Sequence, residues 1–85
     1  MSEFIPLNPQ APVPAFNVAT IPHEVRHGAI HGALSTREVG QSLILIAPHD
    51  PLPLLAEIEQ RPETFEVTYL KRGPQDWHLR FDRTA

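Results

Sequence analysis

Histidine is the residue type in this sequence with the widest chemical use, and three of the five histidines recur at four-residue intervals. His23, His27 and His31 fall on one stripe of a helix predicted over 22–34, where imidazoles four residues apart can bind one metal ion. At a helical rise of about 1.5 Å per residue, His23 and His31 are about 12 Å apart along the axis. At most two of these three side chains can therefore share an ion.

His49 and Asp50 form the second candidate group, between a strand predicted over Ser42–Ala47 and a helix predicted from Pro51 to about Arg61. The strand contains consecutive apolar residues, which is typical of a strand with neighbours on both sides. The Asp50 side chain is expected to cap the helix, and Pro51 to occupy its first position. The sequence therefore predicts a sharp turn from an interior strand into a helix.

The two predicted helices are expected to begin at the same edge of the sheet. Each follows one of two parallel strands, whose carboxyl ends meet at one edge, and open α/β folds bind ligands there. The candidate metal ligands are therefore His23, His27 and His49, and the candidate ligand-binding residues are His27, His49 and Asp50. The alternative is that these histidines are solvated or hydrogen-bonded locally and that Asp50 only caps a helix.

No pattern in the sequence indicates an enzyme. A nucleophile needs a neighbouring base and an orienting group, and the serines and threonines lie in no motif that supplies them. Cysteine is absent, which excludes thiolate nucleophiles, zinc-thiolate sites and disulfides. An anion site at the helix beginnings is disfavoured because Pro22, Pro51 and Pro53 remove first-turn N–H donors. No catalytic residue is therefore predicted.

The composition excludes two classes of partner. Seven Lys and Arg residues against ten Asp and Glu residues, with a net charge of -3, do not form the basic face that nucleic acid requires. The longest apolar run is too short to cross a membrane, and the first residues lack the pattern of a signal peptide. We therefore expect neither nucleic acid nor membrane as a partner, and a cytoplasmic location.

The chain is predicted to form a single domain over 15–83, preceded by a tail over 1–14. The tail is expected to be disordered or polyproline-like because prolines recur through it and block helix and ladder pairing. Within the domain, the pattern predicts the order strand, helix, strand, helix, strand, strand. The first strand is expected over Ala15–Ile21, and the last two form an antiparallel pair over 65–69 and 77–82.

Both helices are expected to cover one face of the sheet, because crossover connections between parallel strands are right-handed. The opposite face is either solvated or covered by a partner, and it carries Glu66, Thr68, His78 and Arg80.

Three segments carry a resemblance to a known family: the run from His49 to Leu54, the run from Gly73 to Arg80, and the Arg26-His27 pair. Together they resemble an uncharacterised bacterial domain-of-unknown-function family, number 2249, of the TusA/SirA-like superfamily. The resemblance implies that the fold class is a two-layer α/β sandwich with a mixed four-stranded sheet in the order 1-2-4-3. It also implies a setting beside metal or redox proteins, because family members occur alone or fused to hemerythrin-like and cupin domains.

The best-known branch of that superfamily carries sulfur as a persulfide on a cysteine at the start of the first helix. The corresponding position here is near Ile21-Pro22, and the chain has no cysteine. We therefore expect a non-catalytic accessory or binding module without sulfur transfer, with a metal or redox protein as its expected partner. The alternative is a small protein that binds a transition metal ion through the histidines at the helix beginnings.

Overall fold

The structure is a computed structural model that describes residues 13–85. In chain order its elements are β1 (Ala15–Asn17), a 3-10 helix (Val18–Thr20), α1 (His23–Ser35), β2 (Ser42–Ala47), α2 (Leu52–Ile58), β3 (Phe65–Arg72) and β4 (Trp77–Arg83). The predicted order of strands and helices is confirmed. The tail predicted over 1–14 lies outside the described residues, apart from Val13 and Pro14.

The four strands form one mixed sheet in the order β1-β2-β4-β3. β1 runs parallel to β2, with Phe16 opposite Leu45. β4 lies antiparallel to both β2 and β3, with Leu79 opposite Leu45 on one side and Tyr69 on the other. The two-layer α/β class and the 1-2-4-3 order are therefore as expected.

The core lies between the helices and one face of the sheet. Alternate residues of β2 and β4 point into it, as the period-2 geometry of a strand requires. Both helices contribute to the same cluster, so both lie on this face. The buried residues are Val18, Ile30, Leu34, Leu43, Leu45, Ala47, Leu54, Ile58, Leu79 and Phe81.

The prediction of a strand over Ala15–Ile21 was wrong in its second half, which forms the 3-10 helix. Asn17 causes the change through local hydrogen bonds that compete with strand pairing. Its Oδ1 accepts from the Ala19 N–H at 3.0 Å, and its carbonyl accepts from the Thr20 hydroxyl at 2.8 Å. β1 is therefore only three residues long, yet Val18 still reaches the core.

The second helix is shorter than predicted, and its cap differs. Pro51 is the N-cap, with no side-chain hydrogen bond, and Pro53 lies in the first turn. Asp50 does not cap the helix, because its Oδ1 accepts a hydrogen bond from the Tyr69 hydroxyl at 2.6 Å. The helix ends at Ile58, ahead of Arg61, which precedes a proline and is therefore biased away from helical geometry.

The uncovered face of the sheet carries a polar network rather than isolated solvated side chains. The Ser42 hydroxyl donates to Asp82, and Arg80 Nε donates to the same carboxylate oxygen at 2.9 Å. Partial burial raises the pKa of Asp82, but the bonds from Ser42 and Arg80 outweigh it and hold that pKa below its usual value. This network links the two central strands, β2 and β4.

The two glycines in α1 are not required by close packing against a neighbouring element. A Cβ atom added at Gly28 or Gly32 would meet nothing within 4 Å. Their cost to the helix is therefore the ordinary loss of propensity, about 1 kcal/mol each relative to alanine.

Within residues 13–85, neither helix has the length and apolar character needed to span a bilayer.

Candidate functional site

The beginnings of α1 and α2 lie at one edge of the sheet and enclose a pocket of about 300 Å³. We call it the rim pocket. Its floor consists of core residues from β2, both helices and the 3-10 helix, namely Val18, Ile30, Leu45, Ala47 and Leu54. Its rim consists of His23, Arg26, His27, Pro48, His49, Pro51 and Pro53. The parallel pairing of β1 and β2 produces this arrangement, because it brings both helix beginnings to the same edge.

The charged and titratable side chains at the rim pocket are one guanidinium and three imidazoles, with no carboxylate among the lining residues. Arg26 is half-buried and donates through Nε and Nη2 to the Ile21 carbonyl, the latter at 2.9 Å. His49 donates through Nδ1 to the Asp50 carbonyl at 3.3 Å, which leaves its Nε2 without a proton in the neutral ring. The pocket therefore combines an apolar floor with a basic rim.

Asp50 is not part of this pocket. Its side chain faces β3, where the hydrogen bond from Tyr69 holds it. That bond to the Asp50 carboxylate, with some desolvation, raises the pKa of the Tyr69 hydroxyl above its usual value. Asp50 therefore anchors the turn before α2 to the edge strand, and of the predicted ligand-binding residues only His27 and His49 line the pocket.

A second group of polar side chains joins α1 to α2 next to the rim pocket. Glu57 Oε1 accepts from His27 Nε2 at 2.6 Å and from His31 Nε2 at 2.9 Å. The atoms of these three residues that could bind a metal ion all lie within 4.8 Å of one another, close enough to share one ion. We call them the histidine cluster. Of the predicted metal ligands only His27 belongs to it. His23 and His49 line the rim pocket, as His27 also does, but they are not part of the cluster.

Arg61 determines which ring nitrogen of His31 carries the proton. Its Nη1 lies 2.9 Å from His31 Nδ1, and because a guanidinium only donates hydrogen bonds, Nδ1 must accept. The ring proton of His31 therefore sits on Nε2, which donates it to Glu57. Arg61 is held in turn by Ser35 at 2.8 Å and Glu63 at 3.1 Å, and its side chain is only 15% exposed.

This tautomer opposes metal binding. A metal-binding imidazole normally uses one deprotonated nitrogen for the ion and donates its other N–H to a carboxylate or carbonyl. His31 has the reverse arrangement, with its proton toward the other candidate ligand and a cation at its far nitrogen. In this geometry the cluster is a hydrogen-bonded link between the two helices.

A family model described as "Uncharacterized conserved protein (DUF2249)" matches residues 15–83. The chain belongs to this family. The match covers every helix and strand of the DUF2249 fold described above. No curated protein and no solved structure matches the chain.

Sequence reasoning missed Glu57 and Arg61 of this DUF2249 chain. The spacing of His27 and His31 correctly placed two imidazoles on one stripe of α1, with ring centroids 5.0 Å apart. It did not identify what faces that stripe, because the side-by-side position of α1 and α2 depends on how both pack on the sheet. The available signal was Glu57 on the exposed side of a helix predicted to cover the same face.

Proposed function

We propose that this DUF2249 chain is a non-catalytic binding module whose rim pocket takes a small apolar carboxylic acid. The observation that carries the proposal is the lining of the pocket, with an apolar floor and a rim that holds Arg26 and three imidazoles but no acidic side chain. Binding pockets for small molecules typically combine an apolar lining with a few placed polar groups, and about 300 Å³ is at the lower end of their size range.

The charge of the rim selects the type of ligand. The whole chain carries a net charge of -3, so a pocket lined by Arg26 and three histidines and by no carboxylate is a local departure from the rest of the molecule. His27 is already bonded to Glu57 outside the lining, which leaves Arg26 as the principal group for an anion.

The donor for a carboxylate would be the Arg26 guanidinium rather than the helix amides, because the prolines at both helix beginnings remove first-turn N–H groups. Charge-assisted hydrogen bonds of this kind are about twice as strong as neutral ones. The apolar part of the acid would cover Leu45, Ala47 and Leu54 on the pocket floor. An accessory role beside a metal or redox protein is part of the same proposal and is drawn from the family resemblance.

Phenylacetate and phenylacetamide provide a matched test, because they have similar size and differ in charge. We expect phenylacetate to shift the backbone NMR signals of Ala47 and Leu54 in a saturable way, and phenylacetamide to bind about tenfold more weakly. The variant Arg26→Gln should remove most of this preference for the acid. Arg80→Gln, the same change on the uncovered face of the sheet, is the control and should leave it intact. Equal binding of acid and amide, or no shifts at the pocket floor, would contradict the proposal.

Metal binding by the histidine cluster is the second candidate function, favoured by the close approach of the donor atoms of His27, His31 and Glu57. For His31 to bind through Nε2, its proton must move to Nδ1, where the Arg61 guanidinium now donates. Metal binding therefore requires Arg61 to leave, together with its bonds to Ser35 and Glu63. We expect the native chain to bind zinc weakly for this reason.

The variant Arg61→Met is predicted to bind zinc more tightly than the native chain. Methionine keeps much of the side-chain volume but removes the donors that hold the His31 proton on Nε2. Residues that hydrogen-bond to a metal ligand typically change metal affinity by about 10- to 100-fold. We therefore expect the zinc affinity to rise by at least about tenfold. The measurement is calorimetric titration with Zn²⁺. In the Arg61→Met background, His31→Gln should abolish the gain, and His23→Gln should not. Equal zinc affinity with and without Arg61 would show that the guanidinium does not control the site.

A further inference from the structure

His49 presents a hydrogen-bond acceptor at the rim pocket, which it lines. Its Nδ1 lies 3.3 Å from the Asp50 carbonyl, and because a carbonyl oxygen only accepts, Nδ1 must carry the ring proton. Nε2 of the neutral ring is then an acceptor. Since the Asp50 carbonyl occupies the Nδ1 side of the ring, Nε2 is the atom that His49 can offer to a bound molecule.

The turn that carries His49 is held by two further hydrogen bonds. The Asp50 carbonyl also accepts from the Leu52 N–H at 2.9 Å, and the Asp50 side chain accepts from the Tyr69 hydroxyl at 2.6 Å. A polar group that is held in place before binding loses less conformational freedom when a ligand arrives. The backbone that positions the His49 acceptor is therefore preorganised.

Arg26 offers the opposite type of group, a set of hydrogen-bond donors. Its Nε and Nη2 donate to the Ile21 carbonyl, and it has no other hydrogen-bond partner among residues 13–85. These two atoms form one edge of the planar guanidinium, so the edge formed by Nη1 and the second N–H of Nη2 is still available. A carboxylate fits such an edge through two parallel hydrogen bonds.

The rest of the lining restricts a second polar group on the acid. The floor of the rim pocket consists of apolar side chains, so a polar group directed toward it would lose water without gaining a side-chain partner. The second group must therefore lie beside the carboxylate, at the rim. An ammonium group is disfavoured there, because the lining contains a guanidinium and no carboxylate. A hydroxyl is neutral and can donate to His49 Nε2.

We propose that the acid bound at the rim pocket is a 2-hydroxy acid with an apolar substituent, a proposal that rests on the proposed function. The Arg26 guanidinium binds the carboxylate through its open edge. The hydroxyl on the neighbouring carbon donates to His49 Nε2, and the apolar substituent covers the floor. The two polar contacts are of opposite type, so the pocket distinguishes the carboxylate from the hydroxyl.

Three compounds related to phenylacetate test the proposal at about pH 8, where an imidazole is ordinarily neutral. Mandelate adds a hydroxyl beside the carboxylate, and the tighter of its two enantiomers should bind about three- to tenfold more tightly than phenylacetate. Its isomer 4-hydroxyphenylacetate directs the hydroxyl toward the apolar floor and should bind about tenfold more weakly than phenylacetate. Phenylglycine, with an ammonium in place of the hydroxyl, should also bind more weakly. The backbone NMR signals of Ala47 and Leu54 give each affinity.

Two variants of His49 assign the preference to its acceptor atom. His49→Phe keeps a ring but has no acceptor, so mandelate should bind no more tightly than phenylacetate. His49→Gln supplies an amide oxygen and should restore part of the preference. The side chain is exposed, so both variants should keep the native fold. His78→Phe, the same change on the uncovered face of the sheet, is the matched control and should leave the preference for mandelate intact.

Equal affinity of the native chain for mandelate and phenylacetate would overturn the proposal and leave the proposed function standing, because phenylacetate would still bind. A preference for mandelate that persists in His49→Phe would overturn the assignment of the hydroxyl to His49. Tighter binding of 4-hydroxyphenylacetate than of mandelate would place the second polar group at the wrong end of the acid. Binding of none of the four compounds would contradict both the proposal and the proposed function.

Discussion

Replacing Phe81 with alanine is expected to leave a large part of the population unfolded at 25 °C. Phe81 is completely buried in β4, and its ring meets that of Phe65 edge to face, with centroids 6.4 Å apart. Truncating a buried phenylalanine costs about 3–5 kcal/mol, through the lost burial and the cavity left behind. A domain of this size has a total stability of about 3–5 kcal/mol. The cost is therefore comparable with the whole free energy of unfolding.

Urea denaturation followed by circular dichroism measures this effect, with two variants as controls. Phe81→Leu keeps much of the volume and should cost less than half as much. Leu70→Ala removes a side chain that is 52% exposed, and it should change the free energy of unfolding by less than about 0.5 kcal/mol. If Phe81→Ala were as stable as Leu70→Ala, the buried cluster would not be the source of stability that its burial indicates.

The parts of the fold that could be predicted from sequence are those whose pattern is repeated within a single element. β2 has the predicted bounds, because Ser42 and Ala47 limit an uninterrupted apolar run. The two last strands followed from alternation, and both extend one or more residues beyond it. A strand that buries one face repeats its pattern every two residues, so a few residues suffice to determine it.

The errors occurred where one side chain makes a specific hydrogen bond. Asn17 ends β1 through bonds to its own neighbours, although the apolar pattern continues through Val18. Asp50 precedes a helix, as a cap should, but its side chain bonds to Tyr69, which lies nineteen residues later in β3. Propensity describes what a residue prefers locally, and it does not include a partner brought close only by the tertiary fold.

In the candidate site, too, the features set by backbone pattern could be predicted and those set by side-chain contacts could not. The shared edge of the two helix beginnings followed from parallel strands alone, and the rim pocket lies there. The grouping of His27 with His31 and Glu57, rather than with His49, depended on the relative position of two helices. The role of Arg61 depended further on which atom of His31 it contacts. Each step away from the backbone pattern toward atomic contacts therefore reduced what the sequence could predict.

The second large effect is expected at the turn between β3 and β4, where Gly73→Ala should destabilise the chain by about 2–4 kcal/mol. Gly73 has φ of 67°, and this left-handed conformation costs a residue with a Cβ about 1–2 kcal/mol. In addition, a Cβ at this position would lie 2.8 Å from two ring carbons of Trp77. The indole packs against the core, so moving it adds the cost of overpacking, about 1–3 kcal/mol.

Gly40→Ala separates the two contributions. Gly40 also has positive φ, at 91°, but a Cβ there would meet nothing within 4 Å. It should therefore carry the conformational cost alone, and the difference between the two variants measures the contact with Trp77. Urea denaturation gives both free energies of unfolding, and the fluorescence of Trp77, the only tryptophan, should change in Gly73→Ala but not in Gly40→Ala. Equal destabilisation with unchanged fluorescence would mean that the indole moves aside at no cost, and that the turn is held by its backbone conformation rather than by the packing of Trp77.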